Sequence, residues 1–402
     1  MTNSAEHFYE ELNPSLRILM GPGPSNVHPR VLRAMSTPLV GHLDPEFITI
    51  MNELQALLRD LFRTENKMTL AMSGTGSSGM ETCFCNLLDP GDTAIVCVNG
   101  LFGERMSDIV DRLGGTLVRV EAEWGKIIEP QSVERVLEKN TAKVVAIVHA
   151  ETSTGVRQPI EEISRIAHEH GVLLLVDTVT SLAGCDVRVD DWKIDACYSG
   201  TQKCISCPPG LSPVSFSENA VAALHARKTK VSSWYLDLSM IEKYWGEERF
   251  YHHTAPISMI YALREALRII MEEGLDRRFE RHLLNHKALA AGLDRLEVEF
   301  VVEPRYRLPM LNAVKIPDGV NDMNVRKYLL NKYDIELGGG LGALKGKSWR
   351  IGLMGHSSTR QNVILFLTAL EDALAKEGIK TAPGAAVAAA MEVYAQQDSR
   401  PA

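Results

Sequence analysis

Between residues 68 and 216 short runs of Val, Ile and Leu alternate with amphipathic stretches, and that pattern leaves few folds open. Strands are expected at Thr93–Val98, Thr116–Val120, Val144–Val148 and Val172–Val176, with shorter ones at Ala196–Tyr198 and Pro213–Phe216. Helical stretches fall between them, over 101–113, 131–138 and 160–170. A strand that is apolar at nearly every position must be buried on both faces, as happens when helices cover both sides of a sheet. The alternation therefore predicts an α/β fold with a large, mainly parallel sheet. After Thr254 the pattern changes to long helices up to 273 and over 276–297, short strands at 299–302 and 312–316, and helices near 322–332 and 361–376. The expected organisation is an N-terminal arm (1–25), a large domain (26–274) and a smaller α+β C-terminal domain (275–402), whose tail from Thr381 forms one more helix.

Charge and composition narrow the function classes. The chain carries 51 acidic against 43 basic residues, a formal charge of −8, and has no basic run, which argues against a nucleic-acid surface. No apolar segment approaches the ~20 residues needed to cross a bilayer. Met1–His7 lacks the basic and apolar regions of a secretory signal. The seven cysteines all lie between 83 and 207, which fits reduced thiols of the cytoplasm better than a disulfide framework. Cys204-x-x-Cys207 has no second ligand pair at a zinc spacing and reads as ordinary thiols beside a turn.

One lysine gives the chemistry its direction. Lys203 sits in the polar turn Tyr198-Ser-Gly-Thr-Gln-Lys-Cys204, closed by Pro208-Pro-Gly210, and an apolar strand upstream ends in Asp177. Pyridoxal phosphate chemistry requires this layout: the lysine amine forms a Schiff base with the cofactor aldehyde, and the aspartate keeps the pyridine nitrogen protonated. A lone lysine in a turn is ordinarily a solvated charge, so the neighbouring motifs must decide.

Ser73-Gly-Thr-Gly-Ser-Ser-Gly79 follows an apolar segment (68–72) and precedes a helical stretch from Met80 to Leu88. It contains a literal Gly-x-Gly-x-x-Gly, so an NAD-dependent dehydrogenase is the rival enzyme class. That fingerprint expects a carboxylate at the end of the next strand to bind a ribose, and here the strand ends in Val98-Asn99-Gly100. Backbone N–H groups at a helix start hold phosphate under either reading. Coupled to Lys203 and Asp177, the turn fits a monophosphate cofactor better.

Four further segments have two readings each. Phe102, opening the helix after Thr93–Val98, could stack on a flat ring, although core packing is its default. His149-Ala-Glu-Thr-Ser153-Thr-Gly155 offers hydroxyls to a phenolate, or forms a plain Ser/Thr turn. Arg350, between Trp349 and Ile351, could clamp a substrate carboxylate with two parallel hydrogen bonds. In Tyr251-His-His-Thr254, Thr254 is by default the N-cap of the long helix, with Pro256 in its first turn.

Taken in order, these pieces resemble the class V family of fold-type I pyridoxal-phosphate enzymes, and more closely its alanine–glyoxylate and serine–pyruvate aminotransferase branch. The resemblance runs from Gly21-Pro-Gly-Pro-Ser-Asn26 to Arg350-Ile-Gly352. It implies that Lys203 binds the cofactor covalently, that Asp177 pairs with the ring nitrogen, and that Phe102 and Val179 flank the ring. Ser153 would contact the phenolate oxygen, and Thr75, Gly76, Ser77 and Gln202 the phosphate. Tyr251 and Thr254 would reach the phosphate of a neighbouring subunit, which makes a homodimer necessary for a complete site. Arg350 would hold the substrate carboxylate, with Ser153 and the loop at Gly23 also lining the substrate's place. The implied reaction is ping-pong transamination from a small amino acid to glyoxylate or pyruvate, with the freed Lys203 amine as general base.

Two relatives and one other class stand apart from this expectation. A cysteine desulfurase needs a nucleophilic cysteine in the second domain, and none follows Cys207. The ureidoglycine–glyoxylate aminotransferases are nearer, resembling this chain at Trp192-Lys-Ile-Asp195 and in the long C-terminal tail. That branch favours Gln where His42 stands and Asn where Tyr251 stands, and both departures lean toward a simple donor such as alanine or serine. A non-catalytic binding protein on the same fold would have little need of Lys203. The final Arg-Pro-Ala402 is not a peroxisomal tripeptide.

Overall fold

The computed structural model of the chain describes residues 11–398; the expectations about Met1–His7 and about the terminal Arg-Pro-Ala402 lie outside the described residues. Strands β1 (Met68–Ser73), β2 (Thr93–Val98), β3 (Thr116–Glu121), β4 (Val144–Val148), β5 (Leu173–Asp177), β6 (Ala196–Tyr198) and β7 (Leu211–Phe216) form one 7-stranded sheet in the order β1-β7-β6-β5-β4-β2-β3. β7 runs antiparallel to β1 and β6, and the other pairings are parallel, as the continuous apolar runs require. Register brings three strand ends level: Val148 lies opposite Asp177, and Asp177 opposite Tyr198.

Helices α1 (Gly76–Leu87) and α2 (Leu101–Arg112) each start directly beyond the carboxyl end of a strand. On α1, Met80, Cys83, Phe84 and Leu87 are buried at spacings of three and four, and Thr82, Cys85 and Asn86 are buried between them, so the second half of the helix is enclosed on all sides. Fully burying a side chain such as Phe84 contributes roughly 1.5–3 kcal/mol. The first hydrophobic core lies between this sheet and its helices.

α3 (Ile257–Glu273) packs into the first core, and the C-terminal layer is built from α4 (Leu275–Arg295), α5 (Arg360–Lys376) and α6 (Ala385–Asp398), around strands β8 (Leu311–Lys315), β9 (Gly338–Gly339) and β10 (Ser348–Gly352). These strands pair antiparallel in the order β8-β10-β9. A second core gathers Leu289, Leu293, Trp349, Ile351, Phe366, Leu370 and Tyr394. It also takes Met20, because Ile18–Leu19 pairs in parallel with Ile335–Glu336. The N-terminal segment is thus woven into the C-terminal layer.

Three local expectations change. Residues 299–302 form no regular strand; Phe300 makes a single bridge to Val314. α1 begins at Gly76, four residues before Met80, which places the glycine-rich turn inside its first turn. α3 begins at Ile257 with Pro256 at its N-cap, so Thr254 does not cap it. A residue before proline is disfavoured in the helical conformation, so Ala255 cannot carry the helix back to Thr254. Among the described residues no helix is long and apolar enough to cross a membrane.

Candidate active site

The crevice at the carboxyl ends of the parallel strands is where ligands of open α/β sheets bind. Five of the segments singled out in the sequence converge there: the glycine turn after β1, Gly100 and Phe102 after β2, the Glu151–Ser153 turn after β4, Asp177 at the end of β5, and the Lys203 turn after β6.

Lys203 is not a solvated charge: it is 9% exposed. Its ammonium donates to the Pro22 carbonyl. Burial first, and then the positive charge of Arg350, bring its pKa down from 10.5 to about 8. Gly23 packs against this side chain with a φ of +106°, and a Cβ there would stand 2.7 Å from Nζ. Glycine satisfies both the left-handed backbone and the close approach. The Lys203 carbonyl accepts from Ser25 Oγ at 2.7 Å, so the N-terminal segment fixes the turn from both sides.

Asp177 is buried; its Oδ2 accepts from the Tyr198 hydroxyl at 2.7 Å and its Oδ1 from the Val179 N–H at 2.8 Å. Burial nevertheless pushes its pKa up from 3.8 to about 7, against these two bonds. A carboxylate so far out of water ionises fully only beside a cation, and a protonated ring nitrogen is such a partner.

The first turn of α1 is open to an anion. Thr75 occupies the N-cap without a side-chain bond. The N–H groups of Gly76 and Ser77 have no acceptor among the described residues, and a helix start left so is a ready phosphate site. Ser77 Oγ accepts from Arg105 at 3.1 Å, which adds a positive charge at the same edge. Gly76 faces Val179 and Gly200, and Gln202 keeps a buried side-chain oxygen with no partner.

Phe102 is half-buried against the first core and lies 5.0 Å beneath the Arg105 guanidinium, so it takes part in packing while also standing at the crevice. Ser153 is buried, accepts from the Leu101 N–H at 3.0 Å and donates to Glu151 at 2.6 Å. Arg350, on β10, is also buried and reaches across from the second core. Its Nε donates to the Gly339 carbonyl at 2.8 Å and its Nη1 to the Thr152 carbonyl at 3.4 Å. Burial lowers its pKa to about 10.

Tyr251 and Thr254 are exposed in the protomer, and the Tyr251 ring meets His42 at 5.2 Å. All seven cysteines are free and buried, and burial holds Cys204, for one, up at about 12. Sequence reasoning missed Glu151, Tyr198 and Arg105 as parts of the site. Glu151 and Tyr198 stood inside the quoted motifs, and a carboxylate just after an apolar strand was the available signal. Arg105 carried none, since only the helix places it one turn beyond Phe102.

These groups fit pyridoxal phosphate: open N–H groups for the phosphate, a buried carboxylate for the ring nitrogen, and a desolvated amine for the aldehyde. The fold and the crevice define a pyridoxal-phosphate enzyme of fold type I. The family model described as aminotransferase class-V matches residues 19–363. The (S)-ureidoglycine–glyoxylate transaminase of Bacillus subtilis is 40% identical, covering 96% of this chain and 97% of that protein. The alanine–glyoxylate aminotransferase of Drosophila melanogaster is also 40% identical, covering 91% of this chain and 94% of the other. Among solved structures, the B. subtilis ureidoglycine–glyoxylate aminotransferase superposes with a TM-score of 0.94 at 41% identity, covering 96% of this chain and 100% of that one. The alanine–glyoxylate aminotransferase from Nostoc sp. gives 0.91 at 46% identity, covering 93% and 99%. The chain belongs to the class-V aminotransferases and is a pyridoxal-phosphate-dependent transaminase. The family match sets the dehydrogenase alternative aside.

Proposed function

We propose that this enzyme transfers the amino group of alanine or serine to glyoxylate or pyruvate by ping-pong exchange, as a cytoplasmic homodimer. The observation that carries the reading is a buried Lys203 amine and a buried Asp177 at the carboxyl ends of two adjacent strands, with Arg350 reaching the same crevice from the second core. Bound pyridoxal phosphate supplies an aldehyde for amine exchange and a ring that draws electrons from the substrate α-carbon. Lys203 holds the cofactor and, once released, takes the α-proton with its neutral amine. Asp177, oriented by Tyr198 and Val179, keeps the proton on the ring nitrogen. Thr75, Gly76, Ser77 and Gln202 hold the phosphate, Phe102 and Val179 flank the ring, and Ser153 meets the phenolate side. Gly23 and Arg350 receive the substrate, Arg350 binding its carboxylate. The two hydrophobic cores support a large domain over 26–274 and a smaller one over 275–402.

Arg350→Lys keeps the charge and loses the planar fork, so it tests the carboxylate clamp. The KM for the amino acid is expected to rise roughly ten- to hundredfold, with kcat changed less. A fall in kcat at unchanged KM would remove Arg350 from this role.

His42 and Tyr251, whose rings lie 5.2 Å apart, stand where a resemblance to the ureidoglycine branch implies Gln and Asn, and this favours the simple donor. The second reading, (S)-ureidoglycine as donor, draws on α6, the long C-terminal helix packed on α4 through Tyr394 and Asn285. Purified enzyme with glyoxylate and each donor in turn separates them. Glycine is expected from alanine or serine; glycine from ureidoglycine alone would replace the first reading with the second.

The homodimer reading draws on the exposed apolar side chains Leu39, Leu43, Trp234, Phe250 and Tyr251, of which Tyr251 meets His42 and Trp234 stacks on His252. Tyr251 and Thr254 are exposed in the protomer, and in the dimer they complete the partner's phosphate site. Sedimentation equilibrium is expected to give twice the chain mass; a monomer that retains full activity would refute the shared site. The free, unreactive thiols suit the reducing cytoplasm.

A further inference from the structure

Glu151 has no part in the chemistry above, yet it is fully buried beside it. Its Oε1 accepts from the Ser153 N–H at 3.0 Å and from the Ser153 hydroxyl at 2.6 Å. Its Oε2 accepts from the Phe102 N–H at 3.2 Å, and the Gly103 N–H also faces the carboxylate. Glu151 therefore caps α2 from a different strand end. The N-cap position of α2 is Gly100, which supplies no side chain to satisfy that turn. A Cβ on Gly100 would stand 2.4 Å from Glu151 Cδ and 2.6 Å from Ser153 Oγ, so the missing side chain is what admits the carboxylate. The Ser153 hydroxyl also accepts from the Leu101 N–H at 3.0 Å, closing a ring of bonds between the two segments. The next residue, Thr152, holds Arg350 through its carbonyl, and Glu151 is the negative charge that the Arg350 guanidinium senses.

We propose that Glu151 is the positioning residue of this site: its carboxylate ties the start of α2, with Phe102, to the Ser153 turn, and so sets the gap into which the cofactor ring fits. The inference rests on the proposed assignment of Phe102 and Ser153 to the ring. A carboxylate suits the task because it is acceptor-only, and every partner here is a donor. Gln at the same position would turn an amide N–H₂ toward one of the two donor pairs, and that side would let go. Burial raises the Glu151 pKa, and the bonds from Ser153, Phe102 and Gly103 act against that rise; leaving those buried donors unpaired is costly.

The test uses E151Q beside wild type, with pyridoxal phosphate as the probe. The affinity of the cofactor-free protein for it is expected to weaken roughly ten- to hundredfold. The visible circular dichroism of the bound cofactor, which reports the ring's setting, is expected to shrink. A residue that merely stabilised the helix would lower the thermal midpoint of the cofactor-free protein and leave affinity and dichroism as in wild type, and that result would overturn the proposal. Should E151Q not fold, Glu151→Asp withdraws the carboxylate by one methylene with its charge kept, and is read by the same two measurements with the same outcomes. Borohydride treatment of wild type guards the premise. If it fixes no cofactor at Lys203, the site assignment itself falls and the inference with it; if it does, unchanged affinity and dichroism in the variant sink the inference alone.

Discussion

Lys203→Ala is expected to lower turnover by roughly four orders of magnitude, because in the proposed mechanism one side chain both anchors the cofactor and moves the α-proton. Borohydride should no longer fix cofactor to the chain, while its non-covalent binding through the α1 turn persists. The amine also sets a pH dependence. Burial and the Arg350 charge lower its pKa to about 8, so it is cationic below that pH and a neutral nucleophile above it. Covalent uptake of pyridoxal phosphate by cofactor-free protein should therefore speed up as pH rises through about 8 and level off beyond. A rate still climbing toward pH ~10.4, the value of an ordinary lysine, would mean that the amine is not desolvated in solution. Turnover within tenfold of wild type in Lys203→Ala would remove this residue from the mechanism.

Asp177→Asn carries the second-largest effect. With no anion to hold the ring-nitrogen proton, kcat is expected to fall roughly 10²–10³-fold, the scale of losing one preorganised electrostatic partner. Retention of most activity would show that the ring needs no anionic partner here. The same side chain makes the cofactor-free protein sensitive to pH. Its folded pKa lies near 7, above the ordinary 3.8, so between these values the folded protein keeps a proton that the unfolded chain has lost. Stability then falls as pH rises across that window, with a slope of at most ~1.4 kcal/mol per pH unit from this group. Thermal unfolding at pH ~5 and ~7 reads it: relative to Asp177→Asn, cofactor-free wild type should gain on acidification. A parallel pH response in the two proteins would place Asp177 in a wetter environment than the structure gives it.

The large sheet was legible because its strands are apolar at almost every position, and burial on both faces leaves little other choice. Lys203 and Asp177 stood out as a candidate pair for a related reason, and both are buried in the structure: polar groups set at the ends of buried strands cost stability unless they do something. Helix starts were harder. The sequence placed Thr254 at a helix N-cap, whereas the restriction imposed by Pro256 moved the start to Ile257. The glycine-rich turn likewise belonged to the first turn of α1 rather than to a loop before it.

Glu151 shows where local reading ends. In the sequence it is one acidic residue among hydroxyls, and nothing nearby says that its carboxylate will meet the N–H of Phe102, 49 residues away. Arg350 gives the same lesson over 198 residues, reaching the Thr152 carbonyl only because the second core sets β10 against the crevice. The sequence by itself determined the layer architecture and the cofactor class and put forward Lys203 and Asp177 as candidates, since side-chain periodicity and strand-end polarity are local properties. The tertiary structure alone decided how deeply Lys203 and Asp177 lie and which distant groups steady them, because desolvation and hydrogen bonding depend on neighbours that the chain order does not reveal.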